Sequence, residues 1–295
     1  MPSYLSQILS DDEKFIRWRV CWGVGFLMIT VCVVGGYQRS GTRQFTDILN
    51  QHPDIQISGE IGRHSFVKIR RAVKRLRSFH AKHGGELNAR LDVQLAVATS
   101  ALYAKYPKNI QLKGSGSVVG FKTPRSEWYF DQIADIFSSN STKKVFLFCN
   151  RDFRDVFLSL KTLGWKMEIE SFVRFYKRSL RSLIEMSRSE SVIKEWDINI
   201  VSLDQFLSAD EKGEWIQQKI FQPLNVIVSA RDAMQFFQNT TNRNSTARAT
   251  GKPREVVFAE SDWNYCLQDA ELWQLLGKLA EIYPGQGFNT LEAFS

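Results

Sequence analysis

The sequence predicts an α/β protein in which a parallel β-sheet is flanked by helices. Short apolar segments that are typical of buried strands alternate with longer segments whose apolar residues recur at helical spacing. The first strand also runs through a glycine-containing loop into a helix. Because strands separated by helices pair in parallel through crossover connections, we expect helices on both faces of the sheet.

The predicted elements follow this alternation along the chain. Strands are expected at 31–34, 55–58, 118–121, 144–149 and 198–201, and the run KVFLFC at 144–149 is the clearest buried strand. Helices are expected around 45–49, 64–83, 87–106, 128–137, 155–163, 168–187 and 269–282, with helical patterning between 202 and 221. The segment 239–253 is polar and irregular.

The loop YQRSGTR at 37–43 follows the first strand and precedes the first helix. Backbone N–H groups and the start of a helix favour an anion at such a position. The loop lacks the GxxxxGK[ST] order of nucleoside-triphosphate enzymes and has arginines where that motif has its lysine. It therefore predicts a phosphate-binding site for a different phosphorylated donor.

Ligands of open parallel sheets bind beyond the carboxyl ends of the strands. Four features of this sequence fall there: the 37–43 loop, Glu60, Lys122 and Arg151. Their convergence at one edge of the sheet is stronger evidence for a site than any one of them.

Composition restricts the class of protein and of ligand. The chain has 295 residues, a net charge of +8 and a pI of about 9.3, which favours anionic ligands without choosing among them. The four cysteines (Cys21, Cys32, Cys149 and Cys266) form no CxxC pair and show no zinc-like spacing to histidines. We therefore expect free buried thiols, no metal site and a cytoplasmic protein.

Residues 20–36 carry no charge and follow Arg17 and Arg19, so a membrane anchor is the alternative interpretation of the N-terminus. A bilayer crossing needs about 20 apolar residues, and the end of this run must supply the first strand. We expect residues 1–29 to form an N-terminal helical or apolar extension and residues 30–295 to form a single domain.

The predicted helix 64–83 is strongly basic. Such a face is usually solvated, but it is also a possible docking surface for an anionic glycan or another acidic acceptor. No nucleic-acid-binding motif accompanies it, and no nucleic-acid partner is expected.

Several segments together resemble the superfamily of sulfotransferases that use PAPS (3′-phosphoadenosine 5′-phosphosulfate). GYQRSGTR resembles the family's 5′-phosphosulfate loop, and VFLFCNRDFRDVFLSL resembles its 3′-phosphate segment. HPDIQISGE is similar to a segment of Golgi-type and bacterial carbohydrate and tyrosylprotein sulfotransferases. GFKTP and the stretch from VSLDQFL to QPLNV resemble two further family elements, so the resemblance touches most of residues 31–228.

The resemblance implies a role for each matched residue. The 5′-phosphosulfate would be held by Arg39, Ser40, Gly41, Thr42 and Arg43, and the 3′-phosphate by Arg151 and Ser159. Arg39 and Lys122 would stabilise developing negative charge, and Glu60 would act as the catalytic base.

Each of these assignments has an alternative. Thr42 lies where a helix cap is expected, Arg43 could be a helix surface residue, and Arg151 could form a salt bridge with Asp152 or Asp155. His52 and His64 are rivals of Glu60 as the base, although His52 precedes a proline and suits a turn or capping role.

The sequence also departs from the family pattern. Arg43 stands where a second threonine is common, Phe153 replaces a proline, and the residues from Ser202 to Gln205 lack the usual Tyr-Glu pair. No RKG-type motif marks a C-terminal donor loop. The candidates there are Arg243, Ser245, Arg248, Lys252 and Arg254.

The resemblance implies a sulfotransferase fold and transfer of a sulfuryl group from PAPS to an acceptor hydroxyl, with a glycan or glycolipid as the expected acceptor. No metal is implied. Two other functions remain open at this point: a P-loop kinase acting on a small molecule, and a non-catalytic protein that binds anionic polymers.

Overall fold

The computed structural model describes residues 29–62, 64–83, 89–102, 117–138, 142–240 and 257–294. Its centre is a five-stranded sheet in the order β2-β3-β1-β4-β5, and every neighbouring pair is parallel. The strands are β1 (Thr30–Gly36), β2 (Ile55–Ser58), β3 (Val118–Lys122), β4 (Lys143–Asn150) and β5 (Asp197–Ser202). The predicted fold class is confirmed, and each predicted strand is present.

Helices connect and cover these strands. They are α1 (Thr42–Leu49), α2 (Ser65–His83), α3 (Ala89–Leu102), α4 (Phe130–Ile136), α5 (Phe153–Thr162), α6 (Ile169–Arg188), α7 (Glu190–Glu195), α8 (Leu203–Ser208), α9 (Lys212–Ile216), α10 (Ala230–Asn239), α11 (Glu260–Gln268) and α12 (Ala270–Ile282). Shorter helical turns are formed by Ser126–Tyr129, Gln217–Phe221, Gln222–Leu224 and Leu291–Phe294.

Both faces of the sheet are buried, which explains why the strands are almost continuously apolar. Val31 and Val33 of β1 point to one face, where they join a core built from residues of α2, α4, α6 and α12. Cys32 and Val34 point to the other face and pack with residues of α1, α8, α9 and α10. The two layers of helices leave the carboxyl ends of the strands as the place where loops meet.

Three helices, α7, α10 and α11, were not predicted from the sequence. None of the residues of α7 is buried, and α10 and α11 each have one buried residue, Ala233 and Cys266. Short helices that bury so few residues give a weak sequence signal. Cys32, Cys149 and Cys266 are free and buried as predicted, whereas Cys21 lies outside the described residues.

The N-terminal extension predicted for 1–29 lies outside the described residues except for Ile29. Most of the irregular segment at 239–253, and the ends of the helix predicted for 87–106, also lie outside them. Within the described parts of the chain, no helix is both long enough and apolar enough to cross a bilayer.

Candidate functional site

The loop after β1 depends on two backbone positions that suit glycine. Gly36 has a φ of 107°, and a Cβ atom there would lie 2.2 Å from the carbonyl oxygen of Cys149 in β4. Gly41, at a φ of 91°, begins α1 and supplies no side-chain cap. The first N–H groups of α1 are therefore left for a ligand or solvent, and an anion is the ligand that they favour.

A buried segment that follows β3 contacts this loop and stabilises it. The Glu127 carboxylate, only 2% exposed, accepts a hydrogen bond of 3.0 Å from the Gly36 N–H. The Arg125 guanidinium donates to Gln38 Oε1 and lies 5.1 Å from the centre of the Tyr37 ring. Neither residue was predicted from the sequence to belong to the site, although two charged residues so soon after KTP were a signal that could have identified them.

Burial raises the pKa of Glu127 above its ordinary value of 4.5. Between the unfolded and the folded pKa the folded protein binds more protons, so this group lowers the free energy of unfolding as pH rises through that window. Glu127→Gln keeps an oxygen for the Gly36 N–H but cannot ionise. We expect the variant to gain stability relative to the wild type as pH rises above 4.5, the ordinary pKa of this carboxyl, measured by urea unfolding at a series of pH values. A stability difference that does not change with pH would contradict this explanation.

Arg39, Ser159 and Arg151 come together from three parts of the chain. The Arg39 Nε donates to Ser159 Oγ at 3.0 Å, and an Arg151 Nη donates to the Arg39 carbonyl oxygen at 3.3 Å. Burial, followed by the neighbouring charge of Arg151, lowers the pKa of the Arg39 guanidinium. The two guanidinium groups are thus near enough for their charges to interact, and such a pair of cations suits a phosphate or sulfate group.

Arg151 is largely buried and lies between two carboxylates. Its guanidinium is 3.5 Å from Asp155 and 3.6 Å from Asp204, while Asp152 pairs with Arg154 at 2.8 Å. Burial raises the pKa of Asp204, which also accepts a hydrogen bond of 2.6 Å from the Asp152 N–H. Asp204 was not predicted from the sequence to belong to the site, because its contact with Arg151 joins the end of β4 to the start of α8.

A segment near the C-terminus closes this edge of the site. The Asn150 side chain donates to the Gly287 carbonyl oxygen at 2.7 Å, and the Asn289 side chain donates to Asp152 at 3.1 Å. These contacts place the segment at the end of β4, and Gly287 also lies beside Ser202 at the end of β5. This segment was not predicted from the sequence to belong to the site. Its only signal was the turn-forming run PGQG.

Glu60 and Lys122 form an ion pair in which Lys122 Nζ lies 2.6 Å from Glu60 Oε1. The Lys122 side chain is 4% exposed and the Glu60 side chain 35% exposed. Thr123 fixes the Glu60 segment to β3, since its hydroxyl oxygen accepts a hydrogen bond of 2.9 Å from the Ile61 N–H. The carboxylate can therefore be reached from solvent while its cationic partner is buried beside it.

The remaining candidates lie apart from these contacts or outside the described residues. Arg43 forms an ion pair of 3.0 Å with Asp47 one turn along α1. His52 Nδ1 accepts a hydrogen bond from the Asp54 N–H, as a turn residue would, and His64 is exposed just before α2. Ser40 and Thr42 are buried in the loop. The C-terminal candidates Arg243, Ser245, Arg248, Lys252 and Arg254 all lie outside the described residues.

The comparison with known families agrees with this geometry. A model of the sulfotransferase family matches residues 32–213, a stretch that contains the loop after β1, Glu60, Lys122, Arg151 and Ser159. The chain belongs to the sulfotransferase family. The segment at 285–289 that closes the site of this sulfotransferase lies beyond the matched stretch.

Among solved structures, this sulfotransferase is similar to the sulfotransferase domain from the Synechococcus PCC 7002 olefin synthase. The two are 12% identical with a TM-score of 0.45, over 85% of this chain and 94% of that domain. No curated protein sequence matches the chain.

Proposed function

We propose that this sulfotransferase transfers the sulfuryl group of PAPS to a hydroxyl group of a glycan or glycolipid and releases 3′,5′-adenosine bisphosphate. The observation that carries the proposal is the contact of Arg39 with Ser159 and Arg151 next to the uncapped start of α1. PAPS has two anionic ends, and this arrangement offers two arginines and a helix N-terminus to hold them.

Two groups of residues would bind the two anionic ends of the donor. The loop residues Arg39 to Arg43 would bind the 5′-phosphosulfate, with Gly41 allowing close approach of the backbone. Arg151 and Ser159 would bind the 3′-phosphate. The carboxylates of Asp155 and Asp204, at 3.5 and 3.6 Å from Arg151, hold its guanidinium in place before the donor arrives.

Sulfuryl transfer needs positioning and electrostatic stabilisation more than covalent catalysis by the protein, as phosphoryl transfer does. The acceptor oxygen attacks sulfur, and the bond from sulfur to the bridging oxygen breaks. Its electron pair stays on the departing 5′-phosphate. Glu60 takes the acceptor proton, while Arg39 and Lys122 oppose the negative charge that develops.

The acceptor class and the cellular location are supported by more general features of the sequence and structure. The glycan or glycolipid acceptor is supported by the resemblance of the HPDIQISGE segment to carbohydrate sulfotransferases. A cytoplasmic location is supported by the free, buried thiols of Cys32, Cys149 and Cys266.

Calorimetric titration with 3′,5′-adenosine bisphosphate tests the donor assignment. We expect micromolar binding to the wild type and binding about 10- to 100-fold weaker to Arg151→Ala, because hydrogen bonds between charged groups are lost. Arg188→Ala is the matched control, since Arg188 is an exposed arginine at the end of α6. Equal affinity of the wild type and Arg151→Ala would contradict the assignment, and tighter binding of Mg²⁺-ATP than of the bisphosphate would favour a kinase.

A further inference from the structure

Helix α2 is unusual because it contains cations and no anions. Its sequence, SFVKIRRAVKRLRSFHAKH, has seven lysines and arginines and no aspartate or glutamate. A helix whose charges serve only solubility normally alternates the two signs, because opposite charges one turn apart stabilise it and like charges destabilise it.

Two of these arginines have structural roles at the flanks of α2. Arg77 makes two hydrogen bonds to the Asp92 carboxylate, at 2.6 and 2.8 Å, and Arg70 forms an ion pair with Asp135. These contacts tie α2 to α3 and α4. The carboxylates of Asp92 and Asp135 therefore neutralise positive charge only on the sides of α2 that face α3 and α4.

Of the five other cations of α2, Lys74 lies about 60° to one side. The outward face carries the remaining four in a row that we call the cationic stripe: Lys68, Arg71, Arg75 and Lys82. At 3.6 residues per turn, these four positions fall within an arc of about 60°. The arc lies opposite the buried Phe66, Ile69 and Val73. All four cations are exposed, and none makes an ion pair within the part of the chain that the structure describes.

The stripe destabilises the helix that carries it. Lys68 and Arg71 are three residues apart and Arg71 and Arg75 are four apart, which are the spacings at which like charges repel on a helix surface. Departures from local stability rules in natural proteins concentrate where function requires them. A ligand that supplies negative charge along this face would remove the repulsion.

The shape of the stripe indicates an extended polymer. Fourteen residues separate Lys68 from Lys82, which corresponds to a rise of about 21 Å along the helix. A row of separate cations of this length suits repeated anionic groups, whereas a single phosphate is bound by cations that converge on one point. The exposed Leu76 and Phe79 are neighbours one turn apart, whereas the exposed Val67 lies on another side of the helix. These three side chains form no continuous apolar face along the helix for a membrane.

The stripe also begins close to the candidate base. Glu60 is five residues before the start of α2, and the turn between them is closed by a hydrogen bond of 2.7 Å from the Ser65 N–H to the Gly62 carbonyl oxygen. The exposed His64 lies at the start of the same outward face. A polymer lying along the stripe can thus extend toward Glu60 and Lys122.

We propose that the cationic stripe binds an acidic polysaccharide, which is the acceptor substrate of this enzyme. Such a polymer combines the two required features, negative groups repeated along its length and hydroxyl groups between them. Its identity as the acceptor rests on the proposed sulfotransferase reaction, whereas its binding to α2 does not.

The test compares two variants with the same change in charge. Lys68→Glu/Arg71→Glu/Arg75→Glu reverses the stripe, and Arg188→Glu/Lys194→Glu/Lys278→Glu reverses three exposed cations on α6, α7 and α12. Heparin serves as the anionic probe and dextran as the neutral one. We expect the stripe variant to bind heparin at least about tenfold more weakly than the control variant, with a steep salt dependence in the wild type and no binding of dextran.

Titration with 3′,5′-adenosine bisphosphate on the same samples separates the two proposals. Normal bisphosphate binding with lost heparin binding supports the stripe as the acceptor site. Heparin binding that depends on the stripe in a protein that binds no bisphosphate supports the surface and contradicts the proposed reaction. Equal heparin affinity of the two variants overturns the proposal, as does stripe-dependent binding of phosphatidylserine vesicles or single-stranded RNA that exceeds binding of heparin.

Discussion

Glu60→Gln is expected to lower kcat for sulfuryl transfer by about 10²- to 10⁴-fold, the usual contribution of a positioned general base. Glu60 is the carboxylate that lies 2.6 Å from the buried Lys122 and is itself partly open to solvent. Glutamine has the same shape, and its amide oxygen can still accept the hydrogen bond from Lys122. The substitution therefore removes the proton acceptor and keeps the local structure.

Steady-state kinetics with PAPS and an acceptor hydroxyl would measure this loss, and calorimetry would report the affinity for 3′,5′-adenosine bisphosphate. The bisphosphate affinity should stay within about threefold of the wild type, because the role proposed for Glu60 is on the acceptor side. His64→Ala is the matched control for the rival base and should have little effect on kcat. If the histidine variant loses activity while Glu60→Gln keeps it, the assignment of the base is wrong.

Arg39→Asn is expected to weaken donor binding and to lower kcat by about 10²- to 10³-fold, the range found when a donor to a developing negative charge is removed. Arg39 has a φ of 72°, in the left-handed region. Asparagine adopts this conformation more readily than alanine, so the loop keeps its backbone and the effect can be assigned to the lost guanidinium.

Ser159→Ala serves as the comparison for this variant. It removes the hydroxyl that accepts the 3.0 Å hydrogen bond from Arg39 but leaves both arginines in place. We expect a smaller loss than in Arg39→Asn, in both bisphosphate affinity and kcat. Unchanged donor affinity and kcat in Arg39→Asn would show that the loop arginine has no part in the reaction.

The tertiary structure explains why a phenylalanine can stand at position 153, where the family usually has a proline. Phe153 begins α5 and is 3% exposed, with its ring packed against those of Tyr176, Trp263 and Trp273. Proline at a first helical position favours helix formation through its fixed φ, whereas this phenylalanine contributes buried apolar surface. Its partners lie on α6, α11 and α12, and no local pattern could have named them.

The prediction of the sheet succeeded for a local reason. A strand that is buried on both faces must be apolar at nearly every position, and such runs are visible in the sequence. The loop after β1 was predictable as well, because the two glycines that its backbone requires, Gly36 and Gly41, lie within one short stretch of sequence. Helices α7, α10 and α11 escaped prediction because α7 buries no residue and the other two bury one each.

The sequence by itself determined the parallel α/β class and the placement of Arg39, Glu60, Lys122 and Arg151 at the carboxyl edge, because strand apolarity and parallel order follow from local pattern. Only the tertiary structure decided which of these side chains meet. Glu60 and Lys122 are 62 positions apart, Arg39 and Ser159 are 120 apart, and the support of Gly36 by Glu127 spans 91 positions. Such pairings depend on strand order and on side-chain direction, which arise when the whole core packs and are not encoded in any one segment.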